Sequence, residues 1–146
     1  RTNALICEDV RADVFISAFY GVLDLKTRRL CYANAGCERP IHFRRRDGTA
    51  SVLNADGMLL GIRAGTEFEE REVDLEPDDV VALFTDGLTE AGVERMRFGA
   101  QRVAETLASA AHLGAQQIAD AIHDALFEFV HGRITDDVAI VVVKIV

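Results

Sequence analysis

The sequence predicts an α+β fold, a four-layer αββα sandwich in which two antiparallel sheets are packed together and flanked by helices. Strand-like segments come first, helical periodicity follows them, and one apolar strand ends the chain, an order that favours α+β over alternating βαβ units. Several strands are apolar on both faces, so each sheet needs a cover on both sides. No repeat or linker interrupts the chain, so residues 1–146 are predicted to belong to one domain.

The first strands are predicted from apolar or alternating segments that are separated by turn residues. Residues 14–23 are nearly all apolar over a strand's length, which is typical of a strand covered on both faces. A turn at 24–28 joins them to 29–36, and the pair is predicted to form a hairpin. Further strands are predicted, in chain order, at residues 41–45, 50–54, 67–75 and 80–85.

The apolar spacing changes after residue 95. Val103 and Leu107, and then a series between residues 118 and 129, recur at intervals of three and four, as in helices with one buried stripe. Gly114 lies between the two series and is predicted to separate two helices. An apolar, β-branched strand is predicted at the C-terminal end, within residues 136–146.

The composition excludes several kinds of partner. With 16 basic and 24 acidic residues the net charge is −8, which argues against nucleic acid or an anionic membrane, because phosphate contacts need basic surface. No apolar stretch approaches the length of a membrane span. The cysteines Cys7, Cys31 and Cys37 are odd in number and match no disulfide framework, so a cytoplasmic location is predicted.

Carboxylates flank two of the apolar strands. Asp86 and Gly87 follow the strand at 80–85, and Asp136 and Asp137 precede the last strand. If these strands are antiparallel neighbours, the carboxylates meet at one rim, where they repel one another unless a hard cation such as Mg²⁺ or Mn²⁺ intervenes. Gly87 is predicted to allow a sharp turn that leaves Asp86 exposed. The alternative interpretation is that Asp86 and Gly87 form an ordinary turn and that Asp136 and Asp137 are the solvated start of a strand.

Other polar residues are predicted to be structural. Asp47 and Asp56 each precede a glycine between short polar segments and are assigned to ordinary turns. Asp79 is assigned to the turn after Pro77, and His42 to the start of a short strand. No catalytic role is predicted for these four residues.

The order of motifs along the chain resembles the catalytic domain of PPM-type, metal-dependent serine/threonine phosphatases of the bacterial SpoIIE/RsbU class. The resemblance covers nearly the whole chain. The combination of NAG, TDG with a following glutamate, FG and DD, in this order, is far more specific than any one of them. The segments that carry the resemblance are FISAFYGVLDLKTRRLCYANAG, LLGI, VDLEPDDVVALFTDGLTEA, FGAQRV and DDVAIVVV.

The resemblance implies a centre of two Mn²⁺ or Mg²⁺ ions that activates water for attack on a phosphate ester, with no nucleophilic side chain. Asp86 and Asp136 match the family's metal-binding aspartates, and Asp137 is expected to support the metal site rather than to anchor it. The implied substrate is a phosphorylated anti-anti-sigma factor of the small STAS type. Residues expected in supporting roles are Gly87, Glu90, Asn34 and Gly36.

The chain also departs from the family pattern. It contains no Asp-Val-Ser-Gly-Lys-Gly type stretch, whose aspartate bridges the two metals in relatives. The sequence is therefore interpreted as the C-terminal part of the phosphatase domain and is predicted to be a poor phosphatase by itself. A non-catalytic regulatory module with a degenerate phosphatase fold remains the alternative. A truncated sandwich would leave strand edges bare, so a homodimer or strand exchange is also expected.

Overall fold

The computed structural model describes residues 1–9, 14–93 and 96–146, and it divides into two compact units. The first unit comprises Arg1–Cys37 and Asn54–Asp74, and the second comprises Glu38–Leu53 and Leu75–Val146. In chain order the elements are α1 (Thr2–Asp9), β1 (Ala18–Asp24), β2 (Arg29–Ala35), β3 (Ile41–Arg44), β4 (Thr49–Val52), β5 (Arg71–Asp74), β6 (Val80–Phe84), α2 (Asp86–Thr89), β7 (Gly92–Val93), β8 (Met96–Arg97), α3 (Gly99–Ala110), α4 (Ala115–Phe129) and β9 (Ile140–Lys144).

The first unit contains α1 and a three-stranded sheet in the order β1-β2-β5. The predicted hairpin is confirmed, because β1 and β2 pair antiparallel from Ala18 opposite Ala35 to Asp24 opposite Arg29. The Asp24 carboxylate closes the turn by accepting the backbone N–H groups of Thr27 and Lys26, and these bonds, that of Thr27 first, hold the pKa of Asp24 below its ordinary value. Sequence-local turn chemistry therefore sets the register of this hairpin.

Two predictions about the strands of the first unit are wrong in detail. Tyr20 and Val22 on β1 are 70% and 53% exposed, so this strand is not covered on both faces among the described residues. Within those residues β1 pairs with β2 alone and forms an edge of the sheet. The alternating segment 67–75 forms a strand only at Arg71–Asp74, where it pairs with β2.

The second unit contains a four-stranded sheet in the order β4-β3-β6-β9, with β6 paired to β3 on one side and to β9 on the other. Helices α3 and α4 pack on each other and on this sheet. Their buried residues recur at three or four positions, which gives each helix one apolar stripe. The buried core of the unit consists of Ile41, Phe43, Val80, Ala82, Phe84, Leu88, Phe98, Val103, Leu107, Ala110, Ala111, Ile118, Ile122 and Leu126.

Every strand pair formed by the described residues is antiparallel, and the α+β class with antiparallel sheets and helices is confirmed. Two small features were not predicted: the single-turn helix α2 directly after β6, and the pairing of β7 with β8. In the described part of the chain, no helix is both long enough and apolar enough to cross a membrane.

Candidate metal centre

The end of β6 and the start of β9 lie side by side in the second unit. The register runs from Val80 opposite Lys144 to Phe84 opposite Ile140, and one more backbone hydrogen bond follows, from Thr85 N–H to the Ala139 carbonyl at 3.1 Å. Antiparallel pairing thus brings the residues after Phe84 next to those before Ile140. The acidic segments that begin at Asp86 and end at Asp137 therefore meet at one rim of the sheet.

Gly87 fixes how closely the two segments approach. A Cβ atom at this position would lie 2.4 Å from the carbonyl oxygen of Asp137 and 3.4 Å from the Cβ of Asp136. Gly87 is buried in α2, and it does not belong to the glycines with positive φ in the described residues. The chain turns into α2 at this point and leaves Asp86 exposed, and glycine is needed here for space rather than for a left-handed backbone.

The three aspartates at this rim are exposed, and their recorded hydrogen bonds are local. Asp86 Oδ1 accepts the N–H of Gly87 at 3.0 Å, and Asp136 Oδ1 accepts the N–H of Asp137 at 2.8 Å. None of the three aspartates has a cationic side chain as a salt-bridge partner within residues 1–9, 14–93 and 96–146. Exposed carboxylates without a cationic partner are available to a divalent cation.

The ligand set at this rim is not complete within the described residues. Among them, no group of three or more histidine, cysteine, aspartate or glutamate side chains is arranged to hold a metal ion. Asp86, Asp136 and Asp137 therefore provide hard oxygen donors from two strand ends, and an ion bound there would need further ligands. Water and a phosphate can supply such ligands for Mg²⁺, which commonly binds through one or two carboxylates.

Glu90, unlike the three aspartates, is paired with a basic side chain. It follows the end of α2, where its N–H donates to the Asp86 carbonyl at 2.7 Å. Its carboxylate accepts a hydrogen bond from Arg97 Nη1 at 2.6 Å, in an ion pair whose two side chains are both exposed. The structure therefore places Glu90 at the C-terminal end of a short helix, with its charge paired to Arg97.

Asn34 and Gly36 belong to the first unit and shape the exit from β2. Asn34 is only 3% exposed, and its side chain donates to the Cys37 carbonyl at 2.9 Å and accepts the Cys37 N–H at 2.8 Å. Gly36 has φ +77°, and a Cβ there would meet the Leu59 side chain at 2.6 Å. Both residues are engaged in the local turn at the end of β2.

A buried polar pair at the other end of β6 was missed by the sequence analysis. His42 Nε2 and Asp79 Oδ2 are 2.9 Å apart, and the two side chains are 1% and 0% exposed. Asp79 also accepts the N–H of Arg45 on Oδ1 and the N–H of Glu76 on Oδ2, each at 2.9 Å. The only sequence signal was a histidine between two apolar residues of a short strand, which predicts that it needs a partner but does not identify that partner.

Comparisons with known proteins agree with this arrangement of strands. The family model described as "Stage II sporulation protein E (SpoIIE)" matches residues 1–146. The chain is 27% identical over 142 residues to "Phosphoserine phosphatase RsbU" of Bacillus subtilis (strain 168), which covers 97% of this chain and 42% of that protein. The chain therefore spans less than half the length of this relative.

Solved structures show the same fold. The SiaA PP2C domain of Pseudomonas aeruginosa superimposes with a TM-score of 0.82 at 23% identity, covering 98% of this chain and 57% of that one. The PP2C phosphatase domain of SpoIIE from Bacillus subtilis, solved with a fragment of its regulatory domain, gives a TM-score of 0.81 at 19% identity. That comparison covers 98% of this chain and 42% of the SpoIIE chain.

Proposed function

Because the chain belongs to the SpoIIE family, we propose that it forms part of a metal-dependent protein phosphatase in which Asp86 and Asp136 are metal ligands. The protein would hydrolyse phosphoserine or phosphothreonine on a protein substrate. The observation that carries this proposal is the meeting of two acidic strand ends, with Gly87 packed against the Asp136-Asp137 backbone.

The donor chemistry at the rim suits Mn²⁺ or Mg²⁺. Carboxylate oxygens are the hard ligands that these cations prefer, and Asp86 and Asp136 are both exposed to an incoming ion. When bound, two such ions would neutralise the charge of a phosphate and lower the pKa of a water molecule that attacks it.

The neighbouring groups of this chain would orient the two carboxylates. The Gly87 N–H donates to Asp86 Oδ1, and the Asp137 N–H donates to Asp136 Oδ1. Each bond restricts the rotation of one carboxylate and leaves its other oxygen available for a cation. Asp137 contributes through this N–H and through its carbonyl, which lies against Gly87. In this proposal Asp137 supports the site and is not its principal ligand.

A second part of the proposal is that residues 1–146 alone are poorly active. The described residues hold no complete ligand cluster, and the sequence contains no Asp-Val-Ser-Gly-Lys-Gly type stretch. A further acidic element of the same protein would then complete the centre, and this chain would be the C-terminal part of the domain. Robust phosphate release by residues 1–146 alone, with saturating Mn²⁺, would contradict this part.

For the substrate, we propose a phosphorylated anti-anti-sigma factor of the small STAS type. The support is the 27% identity to RsbU across 97% of the chain, together with the motif order described above. The net charge of −8 is consistent with a protein substrate rather than a nucleic acid.

The test is phosphate release from a phosphoserine peptide and from a phosphorylated STAS protein, with the full-length protein and Mn²⁺. Asp86→Asn and Asp136→Asn should each lower turnover at least about 100-fold, since outer-shell changes alone cost roughly 10–100-fold in affinity or activity. Asp47→Asn is the matched control, because Asp47 also precedes a glycine but closes a turn with Thr49.

The control variant should keep wild-type turnover. Metal-dependent turnover that survives both Asp86→Asn and Asp136→Asn would overturn the assignment of the site. A full-length protein that binds the phosphorylated STAS protein without hydrolysing it would instead favour the non-catalytic regulatory module.

A further inference from the structure

Thr85 connects the two acidic segments through its hydroxyl group. Thr85 Oγ1 donates to the carbonyl oxygen of Asp137 at 2.9 Å and accepts the N–H of Ala139 at 3.0 Å. Its own N–H donates to the Ala139 carbonyl at 3.1 Å. A hydroxyl oxygen can donate one hydrogen bond and accept another, and the Thr85 hydroxyl does both.

These bonds lie where the regular ladder has ended. The β6–β9 register stops at Phe84 opposite Ile140, and the hydroxyl of Thr85 extends the connection to Ala139 and Asp137. Asp86 is the next residue after Thr85, and the carbonyl that Thr85 holds belongs to Asp137. Thr85 thus ties the backbone on one side of the rim to the backbone on the other.

We propose that Thr85 is a positioning residue that sets the separation of the Asp86 and Asp136 carboxylates and thereby the affinity for the divalent cation. This inference rests on the proposed function. Gly87 limits the approach of the segments by contact, because its Cα faces the Asp137 carbonyl. Thr85 holds them at that limit, because its hydroxyl bonds the same carbonyl.

A purely structural threonine and a positioning threonine differ in what their loss changes. If Thr85 only stabilised the sheet, its removal would lower the stability of the protein and leave metal affinity unchanged in the folded fraction. If it positions the carboxylates, metal affinity falls in folded protein, and a serine at this position restores it because the hydroxyl is kept.

The experiment compares Thr85→Val, Thr85→Ala and Thr85→Ser in the full-length protein. Mn²⁺ dissociation constants are measured from the electron paramagnetic resonance signal of free Mn²⁺, and the exchange rate of the Ala139 amide is measured by hydrogen exchange. Thr106→Val is the matched control, since the Thr106 hydroxyl bonds the Arg102 carbonyl within α3. Asp86→Asn is included to test the metal site itself.

Thr85→Val and Thr85→Ala should weaken Mn²⁺ binding roughly 10-fold and speed exchange of the Ala139 amide, by the outer-shell effect. Thr85→Ser should restore both values, and Thr106→Val should change neither. The alanine variant introduces no new bulk, so it serves even if the valine variant fails to fold.

Two results would overturn the inference in distinguishable ways. If Asp86→Asn weakens Mn²⁺ binding but Thr85→Val and Thr85→Ala bind as tightly as the wild type, the metal site stands and the role of Thr85 is wrong. If Asp86→Asn binds Mn²⁺ as tightly as the wild type, the proposed metal site fails and the role of Thr85 fails with it.

Discussion

An aspartate lies just beyond each end of strand β6: Asp79 before its first residue and Asp86 shortly after its last. Asp79 is buried, whereas Asp86 is exposed. Asp79 is fully buried, and it accepts hydrogen bonds from the backbone of Arg45 and Glu76 and contacts His42 Nε2. Because an ionised carboxylate only accepts, His42 donates through this nitrogen. At the N-terminal end of β6, the protein itself therefore provides the hydrogen-bond partners of the buried carboxylate.

Asp86, at the other end of β6, is exposed and accepts a hydrogen bond from the N–H of the next residue, Gly87. Its neighbours across the rim, Asp136 and Asp137, are exposed carboxylates as well. A carboxylate surrounded by donors stabilises the fold, whereas an exposed one with a single local hydrogen bond has binding capacity left for a cation. The comparison teaches that environment, not residue type, separates the structural aspartate from the candidate ligand.

The largest expected effect comes from removing the buried carboxylate. Asp79→Ala leaves the buried His42 nitrogen and the N–H groups of Arg45 and Glu76 without their acceptor. Since each loss of this kind costs about 1–3 kcal/mol, the free energy of unfolding should fall by about 3 kcal/mol or more. Asp86→Ala should change the free energy of unfolding by no more than about 0.5 kcal/mol in the absence of metal, as expected for an exposed residue. Urea denaturation of the two variants and the wild type measures this difference.

His42→Gln supplies the control for that comparison. It keeps an N–H donor and most of the side-chain volume at this buried position and leaves the two backbone N–H groups bonded to Asp79, so its loss of stability should be smaller than that of Asp79→Ala. Equal stabilities of Asp79→Ala and Asp86→Ala would contradict the contrast between the two ends of β6.

A smaller effect is expected from crowding the rim. Gly87→Ala would place a methyl group 2.4 Å from the Asp137 carbonyl oxygen, so the two segments must move apart. Overpacking of this kind costs about 1–3 kcal/mol in the free energy of unfolding. It should also weaken Mn²⁺ binding, because the carboxylates separate with their backbones. Urea denaturation and Mn²⁺ titration of the full-length protein check the two effects.

Gly65→Ala is the matched control for this substitution. A Cβ at Gly65 meets nothing within 4 Å, and Gly65 has no positive φ. This variant should unfold with a free energy within about 0.5 kcal/mol of the wild type and bind Mn²⁺ unchanged. A Gly87→Ala variant that behaved like Gly65→Ala would show that the two segments are not held in contact.

Much of the fold could be predicted because local patterns determine it. The helices α3 and α4 follow from apolar spacing, and Gly114 lies before the second helix as expected. The hairpin of β1 and β2 follows from its turn residues. The pairing of β6 with β9 needed one additional assumption, that two apolar strands far apart in the sequence are neighbours, and the structure bears it out.

The features that were not predicted depend on contacts between residues that are not close neighbours in the sequence, which no local pattern encodes. The bond between His42 and Asp79 joins residues 37 positions apart, and Asp79 taken alone resembles an ordinary turn residue. The pairing of Glu90 with Arg97 and the exposure of Tyr20 on β1 likewise depend on tertiary neighbours. The role of Asp86 and Asp136 as metal ligands stays a prediction, because the sequence implies the divalent cation only through a resemblance.

The most direct test of the central claim is the location of bound manganese. Crystals of the full-length protein grown with Mn²⁺ would be measured at the manganese absorption edge, where anomalous peaks identify the ion. Peaks are expected within about 2.6 Å of carboxylate oxygens of both Asp86 and Asp136, a usual range for carboxylate ligands of divalent cations. Manganese bound only at other carboxylates, with Asp86 and Asp136 both without an ion, would contradict the proposed metal site.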